Sequence, residues 1–150
     1  EFEWTRKFIN SYKDLLPENI RENTFNYANA MYEFAADNFS TSLEILSKIS
    51  YNDVYHKIKC KCLLAMLYYE LGYNDQLLSH IDSFNHFIIN DRFLNKERKK
   101  NYSNFIRYVK KIERIRQYNL NDNAEELKKK INADIKLYYK DWLLKKLDEF

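Results

Sequence analysis

Glycine and proline are rare in this sequence, and their rarity constrains the fold more than any other feature. The 150 residues contain one Gly and one Pro. Hairpins and β-sandwiches build their tight turns from these residue types, whereas the interior of a helix needs neither. Strand-type alternation of apolar and polar residues is also missing along the chain. The sequence therefore predicts an all-α protein.

Size and composition are those of one folded domain over residues 1–150. Hydrophobic residues make up 45% of the chain and charged residues 31%, which is a globular balance. A chain of this length can bury one ordinary core.

The sequence places few constraints on the cellular compartment of the protein. An apolar run of the roughly 18 residues that a membrane span needs does not occur, and the N-terminus lacks a signal-peptide pattern. Cys60 and Cys62 are too close for an ordinary structural disulfide, which favours a reducing compartment and hence the cytoplasm. Because the chain begins at Glu1 without a Met, we expect a piece of a longer protein.

The periodicity predicts seven or eight helices joined by short polar loops. Trp4, Phe8, Tyr12 and Leu15 form the first helical stripe, and Pro17 ends that helix and begins the next. Later breaks are expected at Asp37-Asn38, at Asn52-Asp53 as a cap, at Gly72 as a left-handed C-terminus, and at Asn90-Asp91.

The C-terminal part is predicted to contain a long helix and one further segment. The long helix has an apolar stripe of Tyr102, Phe105, Val109 and Ile112. The segment from about Asn121 fits either one helix or two helices with a joint near residues 132–134.

A shift of 35 residues brings out an internal repeat. It lays residues 26–50 over residues 61–85 and pairs apolar or small residues with one another. The pairs are Ala30 with Ala65, Met31 with Met66, Phe34 with Tyr69, Leu43 with Leu78, and Leu46 with Ile81.

This spacing resembles the tetratricopeptide repeat, most clearly at residues 64–72 (LAMLYYELG). The copy at residues 28–49 is degenerate, with Asp37 at the turn glycine and Ser42 at a usual alanine. Residues 15–24, 82–84 and 141–147 are similar to the C-terminal region of tetratricopeptide-like proteins of Bacteroidetes, a family without a defined activity. The resemblance implies a bacterial source and antiparallel helical hairpins stacked as a right-handed solenoid. The units would be residues 18–49 and 53–89, and residues 92–150 would form capping helices.

A solenoid of this type presents a concave wall of first-helix side chains to a protein partner. The alignment assigns that partner-binding groove to Tyr27, Met31, Phe34, Cys62, Met66 and Tyr69. The alternative is that these residues are core, since apolar side chains at helical spacing are more often buried than ligand-binding.

A basic helix is the other candidate site. Residues 92–116 contain 10 Lys/Arg and 2 Glu. We define the basic face as Lys99, Lys100, Arg107, Lys110, Lys111 and Arg114, opposite the apolar stripe. It could bind phosphates or an acidic protein, or it could be a solvated outer face. Because the aromatics lie on the apolar side, base stacking is not favoured.

Catalytic and metal-binding patterns are not found in the sequence. His56 and Cys60 share a helix face, but Cys62 lies roughly 200° around the helix from Cys60, so the three are not expected to bind one metal. We expect Asp82 to pair with His86 on the helix surface. A single glycine also excludes a glycine-rich phosphate loop.

The sequence therefore predicts a non-catalytic protein-protein interaction scaffold without cofactor or metal. The alternative function is electrostatic binding of nucleic acid or another polyanion through residues 92–116. Neither the identity of the partner nor the oligomeric state follows from the residues.

Overall fold

The computed structural model describes residues 2–50 and 53–150. These residues form eight α-helices and no β-strand, which confirms the predicted all-α class. A short 3-10 turn, Lys13–Leu15, follows the first helix. The helices are α1 Phe2–Tyr12, α2 Glu18–Ala35, α3 Phe39–Ser47, α4 Val54–Glu70, α5 Asn74–Asn90, α6 Lys96–Tyr118, α7 Asp122–Ala133 and α8 Lys140–Leu147.

The chain divides into two compact units, Glu1–Gly72 and Tyr73–Phe150. In the first unit, α2 contacts α1, α3 and α4. In the second, α6 contacts α5, α7 and α8. The division falls inside the predicted repeat unit 53–89, so the stacking of that unit as a solenoid stays a prediction.

Pro17 separates α1 from α2, as the sequence predicts. A proline disfavours helical backbone in the preceding residue, and Leu16 is extended with ψ 143°. Pro17 itself is the N-cap of α2, where its missing N–H costs nothing. The Arg21 guanidinium closes the corner by donating from Nη2 to the Leu16 carbonyl at 3.0 Å.

The turns that end α2 and α4 have the same backbone geometry, 35 residues apart. Asp37 has φ 58° and Gly72 has φ 69°, so both are left-handed. The Asp37 amide donates to the Phe34 carbonyl at 3.1 Å, and the Gly72 amide donates to the Tyr69 carbonyl at 3.2 Å. Glycine adopts this conformation without strain, and aspartate is among the few other residues that tolerate it.

Ser42 occupies a position where a small residue is needed. Its side chain is fully buried in α3, and its hydroxyl donates to the Ala30 carbonyl of α2 at 2.7 Å. A buried hydroxyl is costly unless it is hydrogen-bonded, and this bond satisfies it. Ser42 therefore replaces the usual alanine without leaving an unpaired polar group.

Helix α4 begins at the predicted cap and is buried on several sides. The Asp53 side chain accepts from the His56 amide at 3.0 Å. Asn52, the other half of the predicted cap, lies outside the described residues. The buried residues of α4 include the adjacent Leu63, Ala65, Met66 and Leu67, so its apolar surface runs around the helix.

Helix α6 buries the predicted stripe. Tyr102, Phe105, Val109 and Ile112 are all buried. Asn95 caps the start by accepting from the Arg98 amide at 2.8 Å. These contacts make α6 the most deeply packed helix of its unit.

The segment after Asn121 forms two helices, which answers the question left open by the sequence. Helix α7 ends at Ala133, and α8 begins after Tyr139, which is left-handed with φ 55°. The Lys140 ammonium donates to the Asn132 carbonyl at 2.8 Å and so satisfies the C-terminus of α7. Asn104 of α6 fixes the connection by donating to the Asp134 carboxylate at 2.8 Å.

Candidate interaction surface on the first helix

The predicted groove is split between exposed and buried positions. Tyr27, Met31 and Phe34 of α2 are half-buried. Cys62, Met66 and Tyr69 of α4 are at most 2% exposed. Side chains without accessible surface cannot contact a partner, so the α4 half of the groove is closed in this structure.

The reason for the burial is the width of the apolar surface of α4. Leu63 and Leu67 are buried together with Cys62 and Met66, so the buried surface of α4 is wide and includes the predicted groove positions, while Lys57 and Lys59 stay exposed. The three α4 residues of the predicted groove are therefore core residues, as the alternative interpretation held. Only the three α2 residues have accessible surface that a partner could contact.

A different apolar surface lies on α1 and the turn that follows it. We call it the aromatic face and define it as Trp4, Phe8, Tyr12 and Leu15. Trp4 is 67% exposed and Leu15 is 74% exposed. The rings of Trp4 and Phe8 stack at 5.3 Å between centroids, and those of Phe8 and Tyr12 at 4.3 Å. The face is thus a continuous aromatic ladder open to solvent.

Cations contribute much of the contact between α1 and α2. The Arg6 guanidinium pairs with the Glu33 carboxylate at 2.8 Å and lies 4.7 Å from the Tyr32 ring centroid. The Lys13 ammonium lies 4.3 Å from the Phe25 ring centroid. Cation–π contacts of this kind are worth about 0.5 to 2 kcal/mol. They hold α1 while leaving its largest apolar side chains exposed.

An apolar groove runs between α1 and α2 beside the aromatic face. Its volume is about 340 Å³. Met31 is the one predicted groove residue that lines it. The full lining is Phe2, Thr5, Ile9, Ala28, Met31, Tyr32 and Ala35.

The structure also explains how the sequence could have indicated this surface. Helix α1 and the turn after it carry a second apolar set, with Ile9 and Leu16 half-buried while Trp4 and Phe8 are exposed. A helix with apolar residues on two sides leaves one side uncovered when only one neighbour packs against it. Spacing alone could not say which side is covered.

The basic face lies on α6, and half of it is already engaged. The Lys99 ammonium donates to the Ile89 carbonyl at 2.8 Å, and the Lys110 ammonium pairs with Asp82 at 3.2 Å. The Arg107 guanidinium donates to the Asn104 side chain at 3.0 Å. These three cations contribute to packing and local pairing within their own unit.

The other half of the basic face is exposed. Lys100, Lys111 and Arg114 make no hydrogen bond or ion pair with residues 2–50 and 53–150. Lys111 and Arg114 also line a hollow of about 280 Å³ between α6 and α7. Glu126 in that hollow pairs with Lys130, which lowers the pKa of the Glu126 carboxyl. The cations of the hollow therefore outnumber its one carboxylate.

His56, Cys60 and Cys62 do not form a metal site. His56 Nδ1 lies 2.6 Å from an Asp53 carboxylate oxygen, and Cys62 is fully buried. Burial raises the pKa of the Cys60 thiol to about 11, with a further contribution from the Asp53 charge. Within the described residues, the His, Cys, Asp and Glu side chains form no cluster of three that could hold a metal.

The expected pairing of Asp82 with His86 is wrong. Asp82 pairs with Lys110 of α6, and His86 Nδ1 lies 3.0 Å from the Asn90 amide nitrogen. The Lys110 ammonium reaches Asp82 from α6 on its long flexible stem.

Comparison of the chain with protein-family models, curated proteins and solved structures gives no match. The resemblance to tetratricopeptide-like proteins therefore stays a prediction from the residues. In the described part of the chain, helices long and apolar enough to span a membrane do not occur.

Proposed function

We propose that the protein is a non-catalytic protein-protein interaction scaffold whose contact surface is the aromatic face of α1. The observation that carries the proposal is the exposure of Trp4, Phe8, Tyr12 and Leu15 as one continuous surface. Contiguous apolar surface on a soluble protein marks an interaction site, whereas scattered apolar residues do not.

The chemistry of this surface suits an apolar, helical partner. Trp and Tyr are the residue types most enriched at the energetic centres of protein interfaces. An amphipathic helix could lay its apolar side along the ladder, and the neighbouring groove beside Met31 could take a protruding side chain.

Repeat geometry supports the scaffold part of the proposal. The equivalent turns at Asp37 and Gly72, and the buried Ala30 and Ala65, are 35 residues apart. Helical hairpins of this kind stack into scaffolds that present extended binding surfaces. We propose a tetratricopeptide-like arrangement of these hairpins.

Site-specific photo-crosslinking in the native cells tests the proposed function. A benzophenone amino acid placed at Trp4 or Tyr12 should give crosslinked protein adducts. The matched control is Phe93, which is 80% exposed but lies in the loop between α5 and α6 of the other unit. Adducts at positions 4 and 12 but not at 93 support the surface. Equal adducts at all three positions, or none, would contradict it.

A second candidate function is electrostatic binding of a polyanion through the exposed half of the basic face. The observation that favours it is that Lys100, Lys111 and Arg114 form no salt bridge with the described residues, Glu126 being the carboxylate on which the Lys111 charge acts. Cations that are not held in a salt bridge can neutralise phosphates.

Fluorescence anisotropy with labelled duplex DNA tests this candidate. We expect weak binding that falls with salt, because each neutralised phosphate contributes about 0.9 to the log-log slope. The double variant Lys100→Glu, Lys111→Glu should abolish that binding. The matched control Lys57→Glu, Lys59→Glu changes the charge equally on exposed α4 positions and should retain it. Submicromolar affinity at physiological salt would make α6 the main functional site.

A further inference from the structure

We infer that the aromatic face binds the same face of a second copy of this chain, with the two α1 helices antiparallel. This inference rests on the proposed interaction surface and names its occupant. The contact would be isologous, so that the same residues of both copies form it around a two-fold axis.

The composition of the face suits self-association. All four of its side chains are uncharged, so two copies can meet without placing like charges together. The neighbouring charges Glu3 and Lys7 pair with each other at 2.9 Å. The edge of the face is therefore neutralised within each copy and does not repel its counterpart.

The spacing of the rings also suits a two-fold axis. Trp4 and Tyr12 lie four residues on either side of Phe8. In an antiparallel pair centred on Phe8, the two Phe8 rings meet on the axis, and each Trp4 lies opposite a Tyr12 of the other copy. Aromatic side chains at such positions gain contact energy beyond the area that they bury.

The exposed area is sufficient for a weak dimer. A whole aromatic side chain offers about 150 to 250 Å². Phe8 is 44% exposed and Tyr12 50%, with Trp4 and Leu15 more exposed. The face therefore contributes roughly 500 Å² per copy and roughly 1,000 Å² per pair, which is the lower limit for a specific interface.

The two most exposed apolar residues of the described chain do not offer an equivalent surface. Phe93 and Ile135 are more exposed than any member of the aromatic face. Each stands in a loop between helices, after α5 and after α7. A single side chain in a loop gives no extended contact, and we therefore assign the second copy to α1.

A charge-swap experiment tests the two-fold axis directly. Light scattering on the wild-type chain should show the mass rising with concentration from 18.4 kDa toward twice that value. Phe8→Glu alone and Phe8→Lys alone should each stay monomeric, because like charges meet on the axis. An equimolar mixture of the two variants should recover the dimer, since only a residue on the axis meets its own copy.

A second variant tests the pairing of Trp4 with Tyr12. For this test, an equimolar mixture of Trp4→Glu and Tyr12→Lys places opposite charges at one crossed position and keeps the Trp4–Tyr12 pair at the other, so it should dimerise in low salt more strongly than either variant alone. Phe93→Glu is the control and should dimerise like the wild type. Circular dichroism should show unchanged helix content in all variants, because the substituted side chains are exposed.

The outcomes separate this inference from the proposed function. If the wild-type chain stays monomeric while crosslinks from position 4 reach another protein, the second copy is wrong and the interaction surface stands. If Phe8→Glu leaves a wild-type-like dimer intact, the dimer uses another surface and the inference is overturned. If the chain neither dimerises nor forms adducts at positions 4 and 12, both proposals fall.

Discussion

Helices α1 and α6 carry their apolar and charged residues in opposite ways. In α6 the apolar stripe is buried, with Phe105 and Val109 fully inaccessible, and cations such as Lys100 are exposed. In α1 no residue is buried; the cations Arg6 and Lys13 contact α2 rings, and the aromatic face is exposed. The apolar stripe of α6 is packed within its own unit, whereas the aromatic face is exposed to solvent.

The difference shows which of the two exposed surfaces gains free energy when a partner covers it. A cation in water is well solvated, so the outer side of α6 is stable without a ligand. Apolar area in water costs about 25 cal/mol per Å², so covering the aromatic face releases free energy. The sequence pointed to α6 as a binding surface because of its charge. The exposure of apolar side chains in the structure instead favours α1.

The largest effect expected from this contrast comes from matched phenylalanine truncations. Phe105→Ala in α6 should lower the free energy of unfolding by about 3 to 5 kcal/mol, because it opens a cavity in the core. Phe8→Ala in α1 should cost less than about 1 kcal/mol in the monomer, because its ring is 44% exposed. Urea unfolding at low protein concentration measures both.

Similar losses in the two variants would break the comparison. In that case Phe8 would be part of a core, and the aromatic face would not be free for a second copy. Running the same pair at high protein concentration sharpens the test, since Phe8→Ala should then lose the additional stability that self-association gives.

An intermediate effect should show whether loose packing is confined to α1 or extends through its unit. Ala65 of α4 is 1% exposed, and we expect Ala65→Leu to destabilise the protein by about 1 to 3 kcal/mol through overpacking. Ala133→Leu is the control, because Ala133 is exposed at the end of α7. An unchanged thermal melt for Ala65→Leu would mean that the whole unit, and not α1 alone, is loosely packed.

The smallest effect concerns a charge that α6 does bury. Glu113 is 1% exposed and pairs with Arg116; burial raises the pKa of its carboxyl, and Arg116 partly opposes that rise. A raised pKa means that the folded protein binds the proton more tightly than the unfolded chain. Stability from this group is therefore present at acid pH and is lost as pH rises through the folded pKa.

Glu113→Gln removes this titration. Relative to the variant, the wild type should become more stable as pH falls from neutral to below the ordinary glutamate pKa of 4.5, by about 1.4 kcal/mol in total for each unit of pKa elevation. Thermal melts of both proteins across this range give the difference. If the stability difference between wild type and variant stays constant with pH, burial does not raise the pKa of Glu113. The charged residues of α6 would then, like its apolar residues, be fully accommodated by the fold.

Most of the helical pattern could be predicted from the sequence because its signals are local. Pro17, Asp53 and Gly72 act on the backbone within one turn, and each marks a boundary in the structure. The alignment placed Asp37 at the position of Gly72, and the structure shows that both have a left-handed backbone. The break before α8 was left open, because it depends on the contact of Asn104 with Asp134, which are 30 residues apart.

The sites were harder to predict because exposure depends on which neighbour packs against a helix. Periodicity placed Met31 and Met66 at equivalent positions, but one is half-buried and the other is core. It also identified Trp4 and Phe8 as a stripe without showing that the stripe is exposed. Partners of flexible ammonium groups, such as Asp82 for Lys110, likewise become known only from the tertiary contacts.

The two native thiols have a practical consequence for such measurements. With a pKa of about 11, Cys60 is a thiolate in only about one molecule in 10⁴ at neutral pH, and Cys62 has no accessible surface. Maleimide and methanethiosulfonate reagents should therefore label an introduced surface cysteine far faster than either native one. A spin label attached through Asn10→Cys, which is exposed on α1 outside the aromatic face, could thus report the distance between two α1 helices in an otherwise unaltered protein.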